Sequence, residues 1–240
     1  MTKLRGRSPN ATNGKPYEYS RESKVMLVED HAFVRQVMRL WLEQEQEISV
    51  FADAGSLSEA RDILQNESLD IDLLIVDLDL PDGSGTALIS DLQDTRPQAP
   101  VLVVTAYSDP ALHARAIEAG AAGIVHKSLP TKDILLAVKR LLAGEQLLSR
   151  EEIIEAVRLI GRKRSEEREA LAKLDQLTPR EKEILQALAE GLRDKEIAQS
   201  LYVTPGTVRA HMANVLAKLE VHSRLQALVF AMRYGAVRID

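Results

Sequence analysis

The sequence predicts an α/β protein: a doubly wound sheet of five parallel strands, then a helical linker, then an all-α domain of four helices. Three observations carry this reading. Between Lys24 and about Gly144, short runs of Val, Ile and Leu alternate with amphipathic stretches of helical period. Strands that apolar throughout are buried on both faces, as parallel strands sandwiched between helices must be. From Thr178 onward the strand-like runs stop, and helical periods with capping signals remain. Between the two lies a stretch, residues 149–175, with 14 charged residues, seven of each sign.

The strand runs are KVMLV (24–28), ISVFA (48–52), DLLIVD (72–77), PVLVVT (100–105) and AGIVH (122–126). The helical stretches between and after them are VRQVMRLWLEQ (34–44), LSEARDILQNE (57–67), TALISDLQD (86–94), DPALHARAIEAG (109–120) and LPTKDILLAVKRLLAG (129–144). Right-handed crossovers make such an alternation doubly wound, with its site outside the carboxyl ends of the strands. In residues 149–175, Ile153, Ile154, Val157 and Ile160 recur at helical spacing. That pattern fits a linker helix with a partly buried, self-associating face, and equally a solvated spacer. TPREKEILQALAEG then carries Thr178 at the cap, Pro179 at the first helical position and Glu181 three residues after the cap, with Gly191 as the stop. DKEIAQSL (194–201) is a short helix, TPGTVRAHMANVLAKL (204–219) a longer one with the same Thr-Pro start, and HSRLQALVFAMRYG (222–235) the last. A short helix joined by a tight turn to a longer one suggests a helix-turn-helix. The expected boundaries are a flexible basic tail at 1–23, an α/β domain at 24–146, a linker at 147–175 and the helical domain at 176–240.

Composition narrows the function classes. The chain has 45% hydrophobic and 28% charged residues, as a globular protein does. It has no cysteine, which excludes disulfides and thiolate metal sites and fits a cytoplasmic setting. No run approaches the roughly 20 apolar residues that span a bilayer, and the N-terminal stretch lacks the apolar core of a signal peptide, so no membrane association is expected. The net charge of −5 is unevenly spread. Residues 24–146 carry 10 Lys/Arg against 20 Asp/Glu, whereas residues 176–240 carry 9 against 7 and the tail is net +3. The acidic half is a poor partner for nucleic acid; the mildly basic end is a better one.

Three carboxylates fall at strand ends: Glu29 and Asp30 after the first strand and Asp77 after the third. Like charges crowded together raise the pKa of at least one unless a cation neutralises them. A hard divalent ion such as Mg²⁺, with its preference for oxygen, is the natural neutraliser. Thr105 and Lys127 end the fourth and fifth strands. A carboxylate, a metal, a hydroxyl and an ammonium at one edge are arranged for phosphoryl transfer, the ammonium and metal meeting the charge spread over phosphoryl oxygens. Asp77-Leu78-Asp79 also matches the Asp-x-Asp of aspartate-based phosphatases, in which the first Asp is nucleophile and the second general acid. There the motif sits on the first strand; here it follows the third, and the acidic pair after strand one would be left without a role.

Residues 24–144 resemble a receiver domain of a two-component response regulator, with a flavodoxin-like sheet, and residues 176–236 resemble a LuxR-type DNA-binding domain. Together they resemble the NarL/FixJ family. The resemblance is carried by VEDH (28–31), VDLDLPDGSG (76–85), VTA (104–106) and HKSLP (126–130), and by the pairing of LTPREKEILQALAEGLRDKEIAQSL with VTPGTVRAHMANVLAKLEVHSRLQAL. It implies Asp77 as phosphoacceptor, with Glu29, Asp30, Asp77 and the backbone carbonyl of Asp79 as Mg²⁺ ligands. It implies Thr105 as switch hydroxyl and Lys127 as partner of the phosphoryl group. A sensor histidine kinase as phosphoryl donor, promoter DNA and a homodimer are the implied partners, and the implied role is a regulator, not a turnover enzyme. Two departures stand out. The position three before the lysine, Tyr or Phe in most receivers, is Ile124, and Tyr107 lies two residues past Thr105. A receiver whose switch lacks that ring is also compatible with a DNA-binding regulator that works without phosphorylation.

On the stretch 204–219, Val208, Met212, Val215, Leu216 and Leu219 recur at core spacing. Gly206, Arg209, Ala210, Ala213 and Asn214 therefore share the open face, which in a helix-turn-helix enters the major groove. Arg209 suits a bidentate contact to guanine and Asn214 a base or phosphate. Thr207, Lys195 and His211 are candidates for phosphate contacts, with a half-buried packing role the alternative for His211. Ala210 and Ala213 leave the face short of long side chains, so weak readout per copy and binding to repeated half-sites are expected. Leu225, Leu228, Val229 and Met232 on the last helix supply either a dimer seam or the closure of the domain core.

Overall fold

The computed structural model describes residues 22–66 and 69–238, and the expected basic tail lies almost wholly outside them. The chain divides into two compact units, the first running to Ala156 and the second from Val157.

The first unit contains β1 (Ser23–Val28), α1 (Ala32–Leu42), β2 (Ile48–Ala54), α2 (Leu57–Leu64) and β3 (Leu73–Val76). A two-stranded hairpin follows, β4 (Asp79–Leu80) with β5 (Gly83–Ser84), and then α3 (Gly85–Thr95). β6 (Val101–Thr105), α4 (Pro110–Ala119), β7 (Gly123–His126) and α5 (Thr131–Leu142) complete it. The five longer strands form one parallel sheet in the order β2-β1-β3-β6-β7. The order reverses between β1 and β3, and that reversal opens a crevice at the carboxyl ends of those two strands.

Strand alternation sorts the apolar runs onto two cores. Met26, Val28, Leu74, Val76, Val101 and Val103 pack against α2, α3 and α4. Val25, Leu27, Leu73, Ile75, Leu102 and Val104 pack against α1 and α5. Each fully buried Leu, Ile or Val contributes about 1.5–3 kcal/mol, so burial of both faces fixes the register of every strand. Helix entries are set locally: Ser56 accepts from Glu59 N–H, Ser84 from Thr86 N–H and Asp109 from Ala111 N–H, with Pro110 at the first helical position. Gly120, at φ 112, closes α4.

The linker stretch is one helix, α6 (Arg150–Asp175). Its expected apolar face divides. Ile153, Ile154 and Val157 are exposed and Ile160 is half-buried, whereas the buried positions of the helix, Ala156, Ala170 and Leu174, lie outside that expected set. Residues 161–169 are exposed throughout, so the solvated reading holds for the middle of the helix.

In the second unit, α7 (Pro179–Ala189), α8 (Asp194–Ser200), α9 (Pro205–Leu219) and α10 (Arg224–Arg233) pack around Ile184, Leu185, Ile197, Val208, Met212, Val215 and Ala227. Leu174, from the end of α6, joins this core. The capping box is present as expected: Thr178 accepts from Glu181 N–H, and the Glu181 carboxylate accepts from Thr178 N–H at 2.8 Å. Among the described residues, no helix is long and apolar enough to cross a membrane.

Candidate functional site

Glu29 leaves β1 at the strand-order reversal, and Asp77 leaves β3 beside it. Both side chains are buried, Glu29 at 1% and Asp77 at 5% exposure. Lys127, from the end of β7, sets its Nζ 2.6 Å from Glu29 Oε2 and 2.7 Å from Asp77 Oδ2. The other Asp77 oxygen, Oδ1, accepts from Leu78 N–H at 2.7 Å. Burial pushes the Glu29 carboxyl up, and the pairing with Lys127 offsets part of that rise. For Lys127 burial acts downward, but hydrogen bonds to Asp77 and Glu29 and their charges outweigh it and hold the ammonium above its ordinary value. The lysine expected to meet a phosphoryl group thus lies between two acidic side chains, supplying the positive charge that the carboxylate cluster requires.

Asp30 turns outward, where its Oδ1 meets His31 Nδ1 at 2.9 Å. Burial acts to raise the Asp30 pKa, but the His31 contact wins and lowers it; the same contact raises that of His31. Arg35 on α1 donates to the backbone carbonyls of Glu29 and Asp30 and pairs with Asp53 at 3.1 Å. It thereby fixes the backbone that presents the acidic pair. Glu29, Asp30 and His31 each bring a ligand atom within 4.8 Å of the others. With Asp77 beside them the donor set is dominated by carboxylate oxygen, the chemistry a small hard divalent cation requires, so the residues fit Mg²⁺.

Thr105 is fully buried at the end of β6, and its hydroxyl accepts from Tyr107 N–H at 3.2 Å. The Tyr107 hydroxyl crosses to Asp79 and donates to its Oδ2 at 2.8 Å. That bond and the carboxylate charge raise the Tyr107 pKa. Two histidines hold the same loop by its carbonyls, His126 Nε2 at Ala106 O and His113 Nε2 at Tyr107 O, both 2.8 Å. Ile124 packs, half-buried, against the apolar core.

Sequence reasoning missed several of these residues. Arg35 and His113 carry no motif of their own, and His126 opens the HKSLP stretch without a role assigned to it; each acts through a carbonyl that the fold brings near. Asp82 accepts from Leu57 N–H at 2.7 Å and Ser58 N–H at 2.8 Å, capping α2 from 25 residues away and holding the hairpin over the site's edge. Those amides lower its pKa. Gly85 had a readable signal in the glycine-rich turn: a Cβ there would sit 2.1 Å from the Asp77 carbonyl, so only glycine lets α3 start against that strand end.

In the second unit the faces of α9 divide as the spacing predicts. Val208, Met212, Val215 and Leu219 are buried, while Gly206, Arg209, Ala210, Ala213 and Asn214 are exposed. Lys195 is exposed on α8, and His211 is half-buried. Thr207 shares a 2.9 Å hydroxyl contact with Thr204 at the start of α9. On α10, Leu225, Val229 and Met232 are exposed at 70%, 55% and 43%, so those three do not serve to close the core.

Comparison with known proteins agrees with this architecture. Residues 25–139 match the response regulator receiver domain, and residues 175–231 match the bacterial regulatory proteins of the luxR family. The chain is 32% identical over 218 residues to the transcriptional regulatory protein LnrK of Bacillus subtilis (strain 168), covering 88% of this chain and 97% of that one. It is 32% identical over 215 residues to the response regulator protein VraR of Staphylococcus aureus (strain COL), covering 90% and 99%. Among solved structures, a LuxR-family two-component response regulator from Aurantimonas sp. SI85-9A1 aligns with 28% identity and a TM-score of 0.50, over 57% of this chain and 96% of that one. The two-component response regulator RcsB in complex with DNA aligns with 26% identity and a TM-score of 0.48, over 88% and 98%. A receiver domain followed by a LuxR-type helix-turn-helix, with relatives matched over nearly their whole length, makes this chain a two-component response regulator of the NarL/FixJ family, a DNA-binding regulator of transcription.

Proposed function

We propose that this regulator is switched by phosphorylation of Asp77 and that the phosphorylated form pairs on promoter DNA. One observation carries the reading: Asp77, Glu29 and Lys127 meet within 2.7 Å contacts at the strand-order reversal, with Thr105 ending the next strand of the sheet. A sensor histidine kinase is the donor. One Asp77 carboxylate oxygen attacks the phosphorus of the kinase's phosphohistidine; the new P–O bond forms as the P–N bond breaks, and the imidazole leaves with its electron pair. Glu29, Asp30 and Asp77, with the backbone carbonyl of Asp79, would hold Mg²⁺. When bound, the ion supplies positive charge against the phosphoryl oxygens. Lys127 exchanges its Asp77 carboxylate contact for a phosphoryl oxygen, and the Thr105 hydroxyl leaves Tyr107 N–H to donate to another. That movement remodels the face of α4, β7 and α5, favouring a state in which the receiver pairs or the DNA-binding domain is released. The acyl phosphate decays by hydrolysis, with Asp79 and Tyr107 at its edge as modifiers.

On DNA, Arg209 and Asn214 read base edges, Ala210 and Ala213 line the groove floor, and Lys195, Thr207 and His211 meet phosphates. Two copies bind repeated half-sites, joined through Leu225, Val229 and Met232. The protein works in the cytoplasm, where kinase output and DNA are both accessible.

Incubation with acetyl phosphate and Mg²⁺ tests the switch: intact-mass spectrometry should record the gain of one phosphoryl group, absent in Asp77→Asn. Ile124, packed into the core where the family carries a ring, favours a second reading, a regulator that binds DNA without phosphorylation. No mass gain together with unimpaired promoter binding would establish that second reading. Turnover of a generic phosphomonoester that depends on Asp79 would instead mark a phosphatase.

A further inference from the structure

The turn between α8 and α9 holds a residue that neither the core nor the helix caps explain. Tyr202 is 95% exposed, the highest exposure of any large apolar or aromatic residue among those described as exposed. It is also one of two non-glycine residues with positive φ among the described residues, at φ 55. A bulky side chain is disfavoured in that left-handed conformation, which glycine adopts freely.

The neighbours impose the conformation. Val203 N–H donates to Ala198 O at 2.9 Å, and Tyr202 N–H to Gln199 O at 3.3 Å. Arg180 on α7 donates to the Leu201 carbonyl, and Thr204 caps α9 by accepting from Thr207 N–H at 3.1 Å. The backbone is therefore fixed on both sides of Tyr202, while no hydrogen bond of its hydroxyl is found among the described residues. A strained, solvent-exposed aromatic held by an over-determined turn points to a use outside the folded domain.

We propose that Tyr202 is a contact to the sugar–phosphate backbone of duplex DNA, its hydroxyl donating to a phosphate oxygen beside the groove that α9 enters. The inference rests on the DNA-binding reading given above. Two features of the same domain support it. Tyr202 stands two residues before the cap of α9, on the end of the helix that enters the groove first. The open face of α9 carries Gly206, Ala210 and Ala213, whose small side chains let the helix backbone sit deep. A deep helix brings the turn at its N-terminus against the groove wall, where phosphates line the rim. Tyrosine hydroxyls are among the side chains that meet phosphates, and such contacts set register without reading sequence.

The test is fluorescence anisotropy with the full-length chain, using a labelled duplex of its own footprinted site and a scrambled duplex of the same length. Tyr202→Phe and Tyr202→Gly should weaken both duplexes by the same factor, about five- to tenfold. A neutral hydroxyl releases no counterion, so the slope of log K against log salt should stay at the wild-type value, whereas Lys195→Ala should lower it by about one. Tyr202→Gly should unfold at no lower temperature than wild type, which separates lost contact from lost fold. Wild-type affinity in Tyr202→Phe overturns the proposal, as does a loss confined to the specific duplex. So does an effect of Tyr202→Gly on self-association with DNA affinity unchanged, which would make Tyr202 a protein contact. If the wild type binds neither duplex, the DNA-binding reading itself fails; if Arg209→Ala leaves the specific affinity intact, the open face of α9 is not the reading surface and the premise for Tyr202 fails with it. If Arg209→Ala loses binding and Tyr202→Phe does not, only the proposal for Tyr202 fails.

Discussion

At the scale of single residues, the two halves use acids for different ends, one buried and one exposed. Glu181 is 2% exposed, its carboxylate 2.7 Å from Lys218 Nζ and accepting from Thr178 N–H. Burial acts to raise its pKa, but these contacts win and hold it below the ordinary value of 4.5. A depressed carboxyl stabilises the fold above its unfolded pKa and loses that contribution as pH falls through its folded value. Glu181→Gln is therefore expected to cost about 1–2 kcal/mol at neutral pH, with the gap to wild type closing as pH falls below the ordinary carboxyl value of 4.5. Urea titrations across that range check it. Asp79 serves the site in another way, as the anchor of the Tyr107 hydroxyl. Tyr107→Phe should free the loop after Thr105 and change the lifetime of the acyl phosphate about threefold, measured by loss of the phosphoryl mass with time. Of these residues the sequence exposed Glu181 as half of a capping box, Asp79 as part of the Asp-x-Asp motif and Tyr107 as a departure from the family pattern. It held no sign of the 2.8 Å bond between residues 28 positions apart, because that bond exists only once β3 and β6 lie side by side.

At the scale of elements, the helices were readable where caps and periodicity agree. α7 begins at its Thr-Pro signal and α9 presents the face its spacing predicts, because burial of Val208, Met212, Val215 and Leu219 leaves no other orientation. The linker helix was legible only as a helix: charge balance does not say which short stretch of it meets a core. Gly161 lies in its exposed middle with open space where a Cβ would go. Gly161→Ala should strengthen α6 by about 0.5–1 kcal/mol, seen as higher helical ellipticity and a higher unfolding midpoint. On α10, Leu225 and Val229 are exposed enough that Asp at either position should change domain stability by less than about 0.5 kcal/mol. The same substitutions should abolish pairing of the phosphorylated protein in sedimentation, whereas unaltered pairing would move the seam elsewhere. The hairpin β4–β5 went unread, because a two-residue strand has too short a pattern to register; Asp82 and the turn glycines were its only trace.

At the scale of the whole molecule, the chain is two compact units with unlike charge and unlike chemistry. Mg²⁺ binding to the acidic crevice should raise the unfolding midpoint of the receiver with increasing metal concentration and leave that of the helical domain unmoved. Calorimetry of the intact chain reads both, and a Glu29→Gln variant should lose the metal response. The sequence by itself determined the order of the five long strands and the helices, which strand ends carry carboxylate, hydroxyl and ammonium, and which face of α9 is open. Those follow from periods of 2 and 3.6 residues and from local capping, interactions that act within a few positions along the chain. Tertiary structure decided what those ends do to one another. Lys127 bridges Glu29 and Asp77 because strands distant in sequence converge where the sheet order reverses, and Arg35, His113 and His126 find their carbonyls the same way. The left-handed turn at Tyr202 is likewise a product of contacts made around it. Distances across 50 or 98 residues are set by packing of the sheet and its helices, and no local pattern encodes them.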